Sequence, residues 1–169
     1  MLSGPRIEKR TAQPYVAIRR AVKMNGIGRV LPPLLDEVSA WMKKERIRPA
    51  GAPFFRYWQT DMDANRFVVD VGWPVAEAVA GEGQIISDTF PAGQYAVILN
   101  TGPFDNLFDA YNALFDWAKE NHVSWQIDAD KTWGARIEHY HTGPDDEPDP
   151  QRWQAEVAML IEPPWADEG

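Results

Sequence analysis

The stretch Thr101–Val123, "TGPFDNLFDAYNALFDWAKENHV", repeats an earlier one, Asn25–Ile47, "NGIGRVLPPLLDEVSAWMKKERI". Laid over each other, Gly26 meets Gly102, Leu31 meets Leu107, Val38 meets Leu114, Trp41 meets Trp117 and Ile47 meets Val123. The offset is 76 throughout (102 − 26 = 76; 117 − 41 = 76). Leu31, Leu34, Leu35, Val38, Trp41 and Met42 recur at helical spacing in the first stretch. Leu107, Phe108, Tyr111, Leu114, Phe115 and Ala118 do so in the second. Pro32 and Pro33 fall where a first helical turn tolerates proline. The pattern predicts two amphipathic helices, each entered through a glycine turn.

The flanks repeat as well. "QPYVAIRRAV" (Gln13–Val22) precedes the first helix and "GQYAVIL" (Gly93–Leu99) the second, both strand-like. "PFFRYWQ" (Pro53–Gln59) and "RFVVDVGWPV" (Arg66–Val75) follow the first helix. "TWGARIEHYH" (Thr132–His141) and "WQAEVAMLIE" (Trp153–Glu162) follow the second, separated by the acidic loop "TGPDDEPDPQ". A further short strand, "GQIISDTF" from Gly83, bridges the halves. Each half therefore reads strand–helix–strand–strand, the first module over about 5–77 and the second over about 81–165 of one domain, 1–169. The expected fold class is α+β: a duplicated module with pseudo-twofold symmetry whose antiparallel sheets form a central ligand groove.

With 44% hydrophobic and 12% aromatic residues, eight of them tryptophan, the chain has ample material for a packed interior. Its net charge of −8 disfavours direct binding to nucleic acid phosphates and favours small cations. It has no cysteine, which removes thiolate chemistry, disulfides and cysteine-type zinc sites. No apolar signal core and no run of about 18 apolar residues occurs. The expectation is a cytoplasmic protein without membrane association or cofactor, of unassigned oligomeric state.

Glu156 is the one charged residue among six apolar ones in Ala155–Ile161. Alternation places Gln154, Glu156 and Ala158 on one face of that strand. Asp70 in "VVDVGW" is its counterpart in the first half. Glu138 and Tyr140 share a face of the neighbouring strand, as do Phe55 and Tyr57 in the first half. A solvent face seldom carries this much aromatic surface. Rings around a carboxylate suit a flat organic cation, through stacking and cation–π attraction. Trp73 and Trp133 complete the candidate ligand-binding set. His139 and His141 lie at i, i+2 without a third ligand in reach, so they read as surface imidazoles and no metal is expected.

The order of "PAGQYAVILNTG", "FDAYNALFDW", "IEHY", "DDEPDP" and "WQAEVAMLIE" along the duplicated chain resembles the GyrI-like small-molecule-binding domain. That domain is also found as the effector domain of AraC-type and MerR-type multidrug regulators. The resemblance implies an aromatic groove for lipophilic cations with a last-strand glutamate, Glu156, at its floor. It implies that Glu138, Tyr140 and Tyr57 line that groove. Trp58 and Trp73 depart from the family's usual smaller residues, and the chain leaves no room for a helix-turn-helix. Three functions follow from the resemblance: binding of hydrophobic, cationic aromatic compounds, for sequestration or sensing; hydrolysis of cyclopropane-type DNA-alkylating compounds; and inhibition of a larger partner such as gyrase. For hydrolysis, Glu156 would carry a raised pKa and activate water, with Tyr140 and Tyr57 steadying the developing oxyanion.

Overall fold

The computed structural model describes residues 1–163; residues 164 and 165, assigned above to the end of the second module, lie outside them. The two duplicated stretches form the two long helices, α2 (Pro32–Lys44) and α3 (Leu107–Glu120), with a single turn, α1 (Ile27–Val30), ahead of the first. Leu34, Val38 and Met42 on α2, and Leu107, Ala110, Leu114 and Ala118 on α3, are buried. Full burial of a Leu- or Met-sized side chain stabilises by about 2 kcal/mol, so the apolar stripe accounts for the docking of each helix. Both helices end alike. Arg46 (φ 59°) and His122 (φ 55°) are left-handed, at the same offset as the repeat (122 − 46 = 76). Beyond them, the Ile47 and Val123 amides donate to the carbonyls of Met42 and Ala118, each at 2.8 Å. That six-to-one bond closes the last turn over carbonyls the helix leaves open.

Eight strands complete the fold: β1 (Arg6–Arg10), β2 (Gln13–Val22), β3 (Phe54–Asp61), β4 (Arg66–Pro74), β5 (Ile85–Phe90), β6 (Gly93–Thr101), β7 (Arg136–Thr142) and β8 (Gln154–Leu160). They make one sheet in the order β1-β6-β8-β7-β3-β4-β2-β5, every neighbouring pair antiparallel. The module β2-α2-β3-β4 thus sits beside its repeat β6-α3-β7-β8, with β3 and β7 meeting at the seam. The outer strands are exchanged. β1, which leads into the first module, pairs with β6 of the second, and β5, which leads into the second, pairs with β2 of the first. This exchange ties the halves together on both sides of the seam, each outer strand being hydrogen-bonded to the module that it does not lead into.

Pairing fixes which residues are equivalent. Asp70 lies opposite Arg56 and Glu156 opposite His139, so Phe55, Tyr57 and Trp58 correspond to Glu138, Tyr140 and His141 (138 − 55 = 83; 141 − 58 = 83). The register slips at that point in both strands, between Tyr57 and Gln59 and between Tyr140 and Thr142. Such bulges bend a strand and re-aim its side chains.

The sheet has two different faces. One carries the helices: α2 packs over Val16, Phe55, Tyr57, Val69 and Val71, and α3 over Ala96, Ile98, Ala155, Val157 and Met159. The other curls on itself. Phe90, on the outermost strand β5, reaches Phe54 of β3 (4.7 Å between ring centroids) and His139 of β7 (5.8 Å). Gly72 permits the close approach of β2 within this curl, since a Cβ there would stand 2.0 Å from the Val16 carbonyl oxygen. No helix among the described residues is long and apolar enough to cross a membrane.

Candidate functional site

β7 and β3 run along the seam beneath the helices, and their helix-side residues form a cluster of aromatic rings around one carboxylate. Glu138 is 6% exposed. Its Oε2 accepts from the Tyr111 hydroxyl of α3 at 2.6 Å, and its Oε1 accepts from the Tyr140 hydroxyl in a short bond. Phe55 packs edge-on to Tyr140 (5.0 Å), and Phe104 does so from the other side (5.1 Å). Trp153 lies against Phe104 (4.9 Å), and Tyr111 stacks on Phe115. Tyr57, Trp73 and Tyr140 pack against the core beneath α2, and Trp133, Tyr111 and again Tyr140 against the core beneath α3. Tyr140 therefore joins the two halves of the cluster. Several of these rings (Tyr111, Tyr140, Trp73, Trp133) keep part of their surface open to solvent.

The electrostatics of this cluster centre on a carboxyl group held out of water. Burial pushes the Glu138 carboxyl above the usual carboxylate range, and the hydroxyls of Tyr111 and Tyr140, then the charge of Arg136, offset that only in part. Burial, then the Glu138 charge, pushes the hydroxyls of Tyr57, Tyr111 and Tyr140 well above the usual phenol range. They stay protonated and serve as donors. A carboxylate held out of water by neutral donors is costly, and a cation set against it recovers part of that cost.

Glu156 is on the opposite face. β8 pairs with β7 so that Glu156 lies across from His139, whereas Glu138 lies across from Val157 and Tyr140 across from Ala155. This overturns the expectation that Glu156 shares a wall with Glu138, Tyr140, Tyr57 and Phe55. Each strand alternates as expected, but the phase between β7 and β8 is the reverse of the one that grouping requires. The other six candidates, Glu138, Tyr140, Tyr57, Phe55, Trp73 and Trp133, come together on the helix side.

Glu156 instead lines a cavity of about 510 Å³ with Arg10, Gln13, Phe90, Tyr95, His139 and His141. Arg10 Nη2 donates to Glu156 at 2.8 Å and to Glu8 at 2.9 Å, and His141 Nε2 stands 3.7 Å from Glu156. Burial alone would raise the Glu156 carboxyl, but His141 and Arg10 pull it down to about 2. The raised pKa expected of a water-activating Glu156 is thus reversed, because β1, unread in the sequence, delivers a guanidinium to it. Asp70, its counterpart, is likewise neutralised: Tyr15, Arg19 and Trp58 all donate to it. The two acids pin strands together across the curl.

The histidines also depart from expectation. His139 and His141 stack at 6.2 Å on the cavity side, and His139 is a largely buried ring, not a surface imidazole. Burial holds it neutral down to about 4, with Glu156 acting against that and Arg10 and His141 with it. A folded pKa below the unfolded value of about 6.5 means that this contribution to stability is complete above pH 6.5. It is lost as pH falls toward 4, by on the order of 2 kcal/mol. His139→Phe is expected to flatten that slope, and urea midpoints at pH 7 and pH 4.5 measure it; an unchanged slope contradicts the assignment. Among the described residues no group of three His, Asp or Glu side chains could hold a metal ion.

Tyr111 and Arg136 were not among the candidates. Tyr111 counts as one more ring in the apolar stripe of its helix; its hydroxyl, the only polar group on that stripe, is the signal that could have singled it out.

A family model described as a GyrI-like small-molecule-binding domain matches residues 4–162. No curated protein matches the sequence. Among solved structures, the chain is similar to EcmrR in its complex with DNA (19% identity, TM-score 0.76) over 95% of this chain and 57% of that one. It thus spans a little over half of that protein's length. It is also similar to SAV2435 bound to tetraphenylphosphonium (8% identity, TM-score 0.69; 95% of this chain, 94% of that one). A hydrolase from Listeria innocua is similar at 13% identity with a TM-score of 0.59, over 94% of this chain and 92% of that one. At these identities the likeness is one of fold.

Proposed function

The chain belongs to the family of GyrI-like small-molecule-binding domains, and on that premise we propose that it binds hydrophobic aromatic cations at Glu138. The ligand would lie between α2 and α3 against Tyr140, Tyr57, Phe55 and Tyr111, with Trp73 and Trp133 at the margins. The observation that carries this reading is the Glu138 carboxylate, buried under aromatic rings and held by two tyrosine hydroxyls. Stacking and cation–π attraction would supply affinity with little demand on ligand shape, and the carboxylate would supply the charge preference. Such a protein sequesters or senses lipophilic cations. The tetraphenylphosphonium-bound state of SAV2435 supports the ligand class by analogy of fold only.

Glu156, by contrast, already carries its counter-charge in Arg10, so its role in this reading is structural. Calorimetric titration of tetraphenylphosphonium into the wild type, Glu138→Gln and Glu156→Gln separates the two acids. Loss of affinity on substitution of Glu156 but not of Glu138 would overturn the assignment.

A second reading rests on the same carboxyl. Burial raises Glu138 above the usual carboxylate range, which favours its acting as a general base, and a tyrosine hydroxyl that turned from Glu138 to the substrate, Tyr111 or Tyr140, could donate to a developing oxyanion. The chemistry would be ring opening by water of a strained, cyclopropane-type alkylating compound, with Glu138 in the place first given to Glu156. Mass spectrometry of such a compound incubated with the protein decides it: no ring-opened product above buffer, with binding intact, leaves binding alone.

A further inference from the structure

Two residues before Glu138 on β7, and on the same face, stands Arg136. Its guanidinium carbon lies 4.3 Å from the centroid of the Tyr111 ring, 4.9 Å from that of Trp133 and 5.8 Å from that of Phe115. Among the described residues no carboxylate lies within ion-pair distance of it. Its side chain makes one hydrogen bond among the described residues, a long one, Nη1 donating to Thr60 Oγ1 at 3.5 Å, and its Nε is buried without a partner. Trp133 Nε1 donates to the same Thr60 oxygen at 3.1 Å, so the guanidinium shares even that acceptor. Tyr111 links the two charges: its ring carries Arg136, and its hydroxyl donates to Glu138.

A cation seated among aromatic rings beside a buried carboxylate is a description of the proposed ligand as much as of Arg136. We infer that Arg136 is a resident surrogate for the ligand, occupying the aromatic seat in the free protein and competing with any cation that enters. The inference rests on the Glu138 reading given above. Arg136 is suited to being displaced. A 3.5 Å hydrogen bond is at the limit of that interaction, and an unpartnered buried Nε gains when it swings to water. The long side chain can leave while its backbone stays in the sheet. Arg136 thereby sets specificity. A ligand must bring both a positive charge and enough ring area to replace the guanidinium, so small ammonium ions are rejected, and neutral aromatics gain nothing from Glu138. A merely structural Arg136 would instead matter for folding and not for the choice of ligand.

The test uses two probes of similar shape and different charge, methyltriphenylphosphonium and neutral triphenylphosphine oxide, titrated into the wild type, Arg136→Gln and Arg136→Lys. Arg136→Gln removes the competitor but also a charge that favours the ionised Glu138, so the titrations are run at a pH high enough to ionise Glu138 in both proteins; there the cation is expected to bind about tenfold tighter and the neutral probe to change by less than about twofold. Arg136→Lys keeps the charge and loses the planar stack, so its gain for the cation is expected to fall in between. An equal gain for both probes would mean that the substitution merely opens space, and no gain for the cation would mean that Arg136 does not compete. Either result overturns the inference while the Glu138 reading stands, provided Glu138→Gln still weakens the cation. If Glu138→Gln leaves cation affinity unchanged in the wild-type background, both fall. Thermal melting of each variant guards against misfolding, and the lysine variant keeps the inference testable should the glutamine variant be unstable.

Discussion

Replacing Glu138 by Gln is expected to weaken tetraphenylphosphonium binding by about one to two orders of magnitude. Removing one member of a desolvated, charge-assisted pair typically costs 2–5 kcal/mol, and about 1.4 kcal/mol is tenfold in affinity. We expect the lower part of that range because the rings keep their stacking surface. The substitution is close to isosteric, and the Gln carbonyl still accepts from Tyr111 or Tyr140, whose hydroxyls bond Glu138 in the wild type. It should not weaken the fold. Burial raises the Glu138 carboxyl, so the ionised group opposes folding above its folded pKa, and a neutral side chain removes that opposition. A variant that binds worse and melts no lower therefore points to the ligand contact. The same sign gives the pH dependence: affinity for a permanent cation should rise with pH as Glu138 ionises. In Glu138→Gln that rise should vanish.

The largest loss of stability is expected at Asp70. It is fully buried and accepts from Tyr15 Oη at 2.6 Å, Arg19 Nε at 2.7 Å, Arg19 Nη2 at 3.0 Å and Trp58 Nε1 at 2.9 Å. The Tyr15 hydroxyl in turn accepts from Arg56 Nη1 at 3.2 Å, and the Arg56 guanidinium lies over Trp58 at 3.8 Å. Arg56 is 3% exposed, so its charge depends on this network for compensation. Asp70→Ala would leave the Arg19 guanidinium, an indole N–H and a phenol without this acceptor, and Arg56 without the carboxylate that lies beyond Tyr15. Breaking a buried pair from one side costs about 3–5 kcal/mol. Asp70→Asn keeps one acceptor oxygen and should cost less, since it loses the charge and not every hydrogen bond. Urea denaturation with unchanged m-value measures both. A loss below about 1 kcal/mol for the alanine variant would show that the network does not bind β2, β3 and β4 together as described.

Much of this arrangement was legible in the residues, and where reading failed the cause is local. The repeated helices announced themselves because Leu31–Met42 and Leu107–Ala118 each bury a stripe with a 3.6-residue period, and tertiary packing agrees with that period. Strand faces were legible for the same reason. β1 was not: "RIEKR" carries four charges, its Ile7 is 50% exposed, and its partner β6 lies more than 80 residues away. Without β1 the sequence offers Glu156 no counter-charge, and the acid looks free to hold a ligand. The phase between β7 and β8 was also hidden. A tight two-residue turn would have fixed it, but the long acidic loop between them leaves either register open. One residue of slip decides whether Glu156 or Val157 stands beside Glu138. The sequence thus offered the rings that gather on the helix side and two acids, and only the pairing showed which acid lies among them.

The central claim is that the ligand sits between α2 and α3 at Glu138 and not in the cavity beside Glu156. A crystal structure of the protein with tetraphenylphosphonium tests it most directly. The account predicts the phosphonium against Tyr140, Tyr57 and Tyr111 near the Glu138 carboxylate, with the Arg136 side chain swung away from its rings. A ligand lodged instead between Tyr95, His139 and Glu156, with the Glu138 cluster unchanged, would contradict it.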